Sequence, residues 1–84
     1  MYRVINCNLN GIRAATKKGF FAWAYQQQPD IICLQELKAQ HLDITHSVDL
    51  AQLMPGFHSF FNCATKKGYG GVGVLARHRP QRII

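Results

Sequence analysis

Asn8 and Glu36 offer hard oxygen donors where two apolar runs end. Tyr2-Arg3-Val4-Ile5-Asn6-Cys7 leads into Asn8-Leu9-Asn10-Gly11, and Pro29-Asp30-Ile31-Ile32-Cys33-Leu34 leads into Gln35-Glu36-Leu37-Lys38. A carboxylate and an amide oxygen suit Mg²⁺ or Mn²⁺ and do not suit soft metals. Mg²⁺ usually keeps several waters and takes one or two protein ligands, with substrate phosphate supplying the rest. An Asn/Glu pair is enough to seat it, and a metal there would polarise a phosphoryl oxygen. Plainer readings compete. Glu36 can be a solvated acid paired with Lys38, and Asn8 a turn former bonded to nearby backbone. Yet Glu36 is one of four acidic residues against ten Lys and Arg, so an acid ending an apolar run asks for a reason.

The two side chains act together only if the fold joins them. Residues 2–8 read as a first strand, rich in β-branched and aromatic residues, with Val4, Asn6 and Asn8 on one face. Residues 14–28 read as an amphipathic helix capped near Thr16. Phe20, Phe21, Trp23 and Ala24 form its core stripe and Pro29 stops it. Gly19 weakens its first turn. Residues 31–35 read as a second strand, buried on both faces. Strand, helix, strand is a βαβ unit, whose strands run parallel and end at one sheet edge. Asn8 and Glu36 then share a crevice, at the edge where open α/β sheets bind ligands.

Residues 38–46 are polar and carry no clear pattern. Ser47 is placed as the cap of a short helix over 48–54, with Asp49 in its first turn and Pro55-Gly56 as its stop. Residues 57–64 read as a third strand, with His58, Phe60 and Asn62 on one face. Residues 72–76 read as a fourth. The glycine-rich turn Thr65-Lys66-Lys67-Gly68-Tyr69-Gly70-Gly71 joins them into an antiparallel hairpin. Residues 81–84 begin what looks like another strand.

A chain of 84 residues makes one domain at most, with a marginal core. At 48% hydrophobic and 17% charged it is globular rather than disordered. No run approaches the ~20 apolar residues of a membrane span. The N-terminus lacks the apolar core of a signal peptide. The expectation is a cytoplasmic protein without membrane contact. Cys7, Cys33 and Cys63 are odd in number, widely spaced and each within a predicted strand, so they read as reduced core residues. His41, His46, His58 and His78 show no metal spacing. The net charge of +6 favours a polyanion such as nucleic acid. Arg13, Lys17 and Lys18 follow the first strand, and Lys66, Lys67 and Tyr69 sit in the glycine-rich turn. There, backbone N–H groups freed by Gly68, Gly70 and Gly71 add phosphate contacts. An ordinary solvated hairpin is the plainer reading of that turn.

Three stretches resemble successive motifs of the exodeoxyribonuclease III family of AP endonucleases, within the metal-dependent endonuclease/exonuclease/phosphatase superfamily. They are Asn8-Leu9-Asn10-Gly11-Ile12-Arg13, Pro29 through Lys38, and Lys67-Gly68-Tyr69-Gly70-Gly71-Val72. They stand in the family's order and at similar spacing. They cover essentially the whole chain, but about the first third of a family member. The resemblance implies an α/β chain: the N-terminal part of a four-layered α/β sandwich, a βαβ unit followed by a β-hairpin, with the second sheet missing. It implies a Mg²⁺-dependent hydrolase, with Mn²⁺ as substitute, that cuts DNA 5′ to abasic sites in base excision repair. It also implies 3′→5′ exonuclease activity and removal of 3′-blocking groups, on double-stranded DNA, by a monomeric enzyme.

By position, Glu36 resembles the family's metal-binding Glu, Asn8 the Asn beside it, and Asn10 a nearby Asn or Asp. Lys38 matches the Lys that supports the acidic site. Arg13, Ala14 and Lys18 fall where relatives touch the DNA backbone, and Gly68 and Tyr69 match the loop that grips it. The sequence departs at Gly70, often polar in relatives. It departs at Asn6, usually a small residue, which puts a buried polar group in need of a partner. The family's catalytic Tyr, its water-activating Asp and its late Asp/His pair have no counterparts here. The expectation is a partial domain over residues 1–84, inactive and poorly stable by itself. A non-catalytic basic DNA-binding module and a non-functional truncated product are the competing readings. A branch acting on phosphoinositides or sphingomyelin is another, against which the Arg13/Lys18 cluster and the Asn-Leu-Asn-Gly-Ile-Arg run both stand.

Overall fold

The computed structural model describes residues 2–66 and 68–80. Lys67 and the strand expected at 81–84 lie outside the described residues. The elements run β1 (Val4–Asn8), α1 (Ile12–Lys17), α2 (Phe20–Gln26), β2 (Ile31–Gln35), α3 (His41–Ser47), α4 (Leu50–Leu53), β3 (His58–Asn62) and β4 (Val72–Ala76). No helix among the described residues is long and apolar enough to cross a membrane.

The sheet order is β1-β2-β4-β3. β1 and β2 are parallel, from Val4 opposite Ile31 to Asn8 opposite Gln35. β3 and β4 form the antiparallel hairpin. The hairpin docks through β4, which runs antiparallel to β2 with Val72 opposite Gln35. This last pairing carries a functional consequence. The ends of β1 and β2 and the start of β4 lie at one sheet edge. The connections over 9–11, 36–40 and 63–71 all meet there.

Ile32 and Leu34 of β2 and Leu75 of β4 are almost fully buried. They join Ile12 and Ala15 of α1, Phe21 and Ala24 of α2, and Ile44 of α3 in one core. Each large side chain sunk there contributes about 1.5–3 kcal/mol. The other sheet face carries Val4, Val72 and Val74, which are 57%, 51% and 39% exposed. β2 is therefore not buried on both faces: Ile31, Cys33 and Gln35 stay half-buried, because the helices cover the Ile32/Leu34 face alone.

The helical pattern over 14–28 resolves into two helices. α1 begins at Ile12, and Thr16 does not cap it; its hydroxyl donates back to the Ile12 carbonyl at 2.7 Å. Gly19 adopts φ +89° and breaks the run, a conformation glycine takes without a Cβ penalty. The break rotates the stripe. Phe21 and Ala24 stay buried, while Trp23 turns half its surface to solvent. α3 forms where the sequence shows no pattern, its start held by the Asp43 carboxylate accepting from the Gln40 N–H at 3.0 Å. Ser47 ends α3 instead of capping the next helix. Asp49 caps α4, accepting from the Gln52 N–H at 3.2 Å. A carboxylate there both caps and complements the positive helix end.

Asp30, given no role by the sequence, ties the opposite edge together. Its carboxylate accepts from the Arg3 N–H at 2.8 Å and lies 3.9 Å from Arg77, which also donates to the Pro29 carbonyl at 3.0 Å.

Gly73 of β4 sits under Phe61 of β3, and a Cβ there would lie 2.6 Å from the ring's Cδ1. Gly73→Ala is expected to cost about 1–3 kcal/mol, read as a lower urea midpoint. Adding Phe61→Val should recover much of that loss, because valine carries no atom at the δ or ε positions that clash.

Candidate functional site

The site is built on backbone. Beyond the last strand pair, the Leu9 N–H donates to the Gln35 carbonyl, Gly11 to Glu36 and Ile12 to Leu37, each at 2.9 Å. From the other side, the Leu37 N–H donates to the Gly71 carbonyl at 3.3 Å and Lys38 to Gly70 at 2.8 Å. Residues 36–38 are thus clamped between the exit of β1 and the entry to β4. Within this clamp Glu36 and Lys38 both hold φ +52°, and Asn10 beside them holds φ +48°. A non-glycine residue in that left-handed region costs roughly 1–2 kcal/mol. Each backbone hydrogen bond contributes about 0.5–1.5 kcal/mol, so the clamp offsets the strain.

The twisted backbone gathers four side chains. The Asn8 amide Nδ2 donates to Glu36 Oε2. The Asn8 Oδ1 accepts from the Asn10 N–H at 3.0 Å. The Lys38 ammonium donates to Asn10 Oδ1 and lies 4.0 Å from Glu36 Oε1. The predicted set Asn8, Asn10, Glu36 and Lys38 is therefore one cluster. Both plain readings are also true within it: Glu36 does face Lys38, and Asn8 does bond nearby backbone. Glu36 and Lys38 are 43% and 40% exposed, so the cluster is open to solvent and to ligand.

The donor set fits a hard divalent cation. Glu36 supplies one carboxylate, and turning the Asn8 amide over would bring its oxygen beside it. One or two protein oxygens with several waters is a normal Mg²⁺ shell. Among the described residues no group of three or more His, Cys, Asp or Glu forms a metal cluster.

Arg13, Ala14 and Lys18 are exposed on and just after α1, and Ala14 and Lys18 share a groove with Asn8 and Asn10. Gly68 and Tyr69 are exposed in the turn before β4, with the Lys66 ammonium 4.5 Å from the Tyr69 ring centre. Lys67 lies outside the described residues.

Sequence reasoning missed several participants. Gly71, at φ +90°, lets the turn approach so closely that a Cβ would lie 3.2 Å from the Leu37 Cβ. Asn6 is not buried: it is exposed on the open sheet face and accepts from the Gln35 Nε2 at 2.6 Å. The cysteines offer no nucleophile in this region. All three are free, and burial, with the Asp43 charge adding to it, pushes the Cys63 thiol up, away from thiolate chemistry.

Glu36→Gly should leave stability within about 1 kcal/mol of the parent, since relief of strain offsets glycine's entropy cost. It should abolish Mn²⁺ binding, followed by paramagnetic broadening of the site's NMR signals. Gly71→Ala should cost more than about 1 kcal/mol, because it adds both strain and a clash. Thermal unfolding of the two variants side by side checks the contrast.

Comparison with known proteins gives this edge a context. The chain is 37% identical over 83 residues to an exodeoxyribonuclease of Bacillus subtilis (strain 168), covering 98% of the chain and 31% of that relative. It is 32% identical over 81 residues to a DNA-(apurinic or apyrimidinic site) endonuclease of Dictyostelium discoideum, covering 96% of the chain and 21% of the relative. An AP endonuclease structure from Archaeoglobus fulgidus matches with a TM-score of 0.78 at 28% identity, over 95% of this chain and 29% of that one. A Neisseria 3′ phosphatase bound to product DNA hairpin matches with a TM-score of 0.72 at 27% identity, over 96% and 29%. The chain thus spans 21–31% of the length of these relatives. Residues 5–84 match a single family over nearly the whole sequence, and the chain belongs to the Endonuclease/Exonuclease/phosphatase family.

Proposed function

We propose that this chain carries the opening portion of a Mg²⁺-dependent DNA-repair nuclease site, of the exodeoxyribonuclease III type. Its reaction is hydrolysis of DNA phosphodiesters 5′ to abasic sites, with 3′→5′ exonuclease activity and removal of 3′-blocking groups. The observation that carries this reading is the Asn8–Glu36–Lys38–Asn10 cluster, held at the meeting point of three loops and flanked by cations. Nucleases and AP endonucleases among the relatives support the substrate class.

Glu36 and the turned Asn8 would hold the ion, Mg²⁺ or Mn²⁺. When bound, it polarises a phosphoryl oxygen and stabilises the leaving alkoxide. Lys38 balances the carboxylate and steers Asn10. Arg13 and Lys18 neutralise DNA phosphates on one side of the cluster. Gly68 and Tyr69 present backbone and an aromatic ring to the strand on the other. Among the described residues the cluster holds one carboxylate and no imidazole, so it binds and orients a phosphate without a separate base to take a proton from water.

The 84 residues by themselves are therefore expected to leave an abasic-site duplex uncut in Mg²⁺. Turnover that survives purification and vanishes in Glu36→Ala would overturn this. DNA binding should remain, with the logarithm of affinity falling against that of salt at a slope of about −3 for three to four phosphate contacts. Binding unaffected by Mg²⁺ and indifferent to the abasic site would instead favour a non-catalytic basic module, the reading that the exposed Arg13, Lys17 and Lys18 support, with no ion pair to them among the described residues.

A further inference from the structure

Trp23 is the chain's one tryptophan, and 51% of its surface is exposed. The core does not use it, since Phe21 and Ala24 fill the buried side of α2. Its indole rests on Phe20, with ring centres 6.1 Å apart and planes tilted by 43°. Phe20 in turn meets the buried Phe21 edge-on at 5.1 Å. An aromatic series anchored in the core thus props the indole from one side and leaves the rest to solvent.

A groove of about 300 Å³ connects this ring to the candidate site. Asn8, Asn10, Ala14 and Lys18 line it together with Phe20 and Trp23. Its size is at the low end for a small-ligand pocket. Lys18 is the one charged residue in its described lining, and from Gly11 to Pro29 the sequence adds Arg13 and Lys17 and no acid; the Glu36 carboxylate lies behind Asn8 at the cluster end. A ligand matched to both ends needs a negative charge and a flat aromatic face. A nucleotide has both.

We propose that this groove holds one unpaired nucleotide of the DNA strand engaged at the cluster, with its phosphate at Lys18 and its base stacked on Trp23. In a duplex both faces of a base are covered by its neighbours, so a base on the indole must have left the stack. Stacking of this kind tolerates any base, because each has a π-face. The proposal rests on the DNA-nuclease reading and adds to it a preference for frayed or single-stranded ends.

The lone tryptophan makes the test direct. The full chain, in EDTA to prevent cleavage, is titrated with an oligothymidine and with a blunt hairpin duplex. Anisotropy of labelled DNA reports binding, and intrinsic emission in parallel unlabelled titrations reports Trp23. The single strand should quench Trp23 strongly and the duplex weakly. Trp23→Leu should weaken single-strand binding about tenfold, the scale for losing one stacked base, and duplex binding less than twofold. Trp23→Phe should stay within about twofold of the parent, and needs no loss of core packing. Binding without quenching, or unaltered single-strand affinity in a folded Trp23→Leu, overturns the stacking proposal and leaves the nuclease reading standing. Equal quenching by a polyglutamate peptide overturns the nucleotide as occupant. Failure to bind either DNA overturns both.

Discussion

Five backbone hydrogen bonds around residues 36–38 hold the rest of the site in place. The side chains of the cluster do not hold themselves. Glu36 and Lys38 are separated by 4.0 Å and each is about two-fifths exposed, a geometry worth about 0–1 kcal/mol. What places the carboxylate is main chain on both sides: the exit of β1 and the entry to β4. The left-handed turns at Glu36 and Lys38 persist because hydrogen bonds to both neighbours hold them there. The chemistry of the edge is thus a property of three loops together.

The same sheet is finished on one face and open on the other. Ile32, Leu34 and Leu75 share a core with four helices, while Val4, Val72 and Val74 face outward. The open face is not uniformly apolar. Toward the functional edge it carries Asn6 and Gln35, bonded to each other, and then Asn8. Polarity rises along β1 toward the cluster. The strand that presents the amide to Glu36 is therefore wet on that side for its last half.

Much of this was legible in the sequence, and the gaps have physical causes. β-branched runs and Pro29 mark two parallel strands, and parallel strands bring Asn8 to Glu36 whatever their separation. A period of two tells which residues share a face, but not which strand lies alongside. Hence the pairing of β4 with β2, and the part Gly70 and Gly71 play beside Lys38, was out of reach. Gly19 could weaken a helix or break it; the aromatic stripe alone does not decide, and the break is what frees Trp23. Non-glycine residues in the left-handed region carry no mark in the sequence, so Glu36 and Lys38 gave no sign of strain. Asp30 reads as turn punctuation beside Pro29, and its role as a latch needs the third dimension.

Asn8 and Glu36 stand 28 positions apart, as do Asn10 and Lys38, and the Gly70–Lys38 bond spans a similar stretch of chain. Contacts at such separation form only after long loops close, and they set the pace of folding. Until the hairpin arrives against β2, Glu36 is held at φ +52° from the β1 side alone, by the Gly11 N–H on its carbonyl, against an extended backbone of lower intrinsic energy. A molecule folded through Lys38 alone therefore has every residue of the cluster and only one side of its clamp. The carboxylate's surroundings thus draw on segments far apart in the chain, so the complete clamp exists only in the finished sheet.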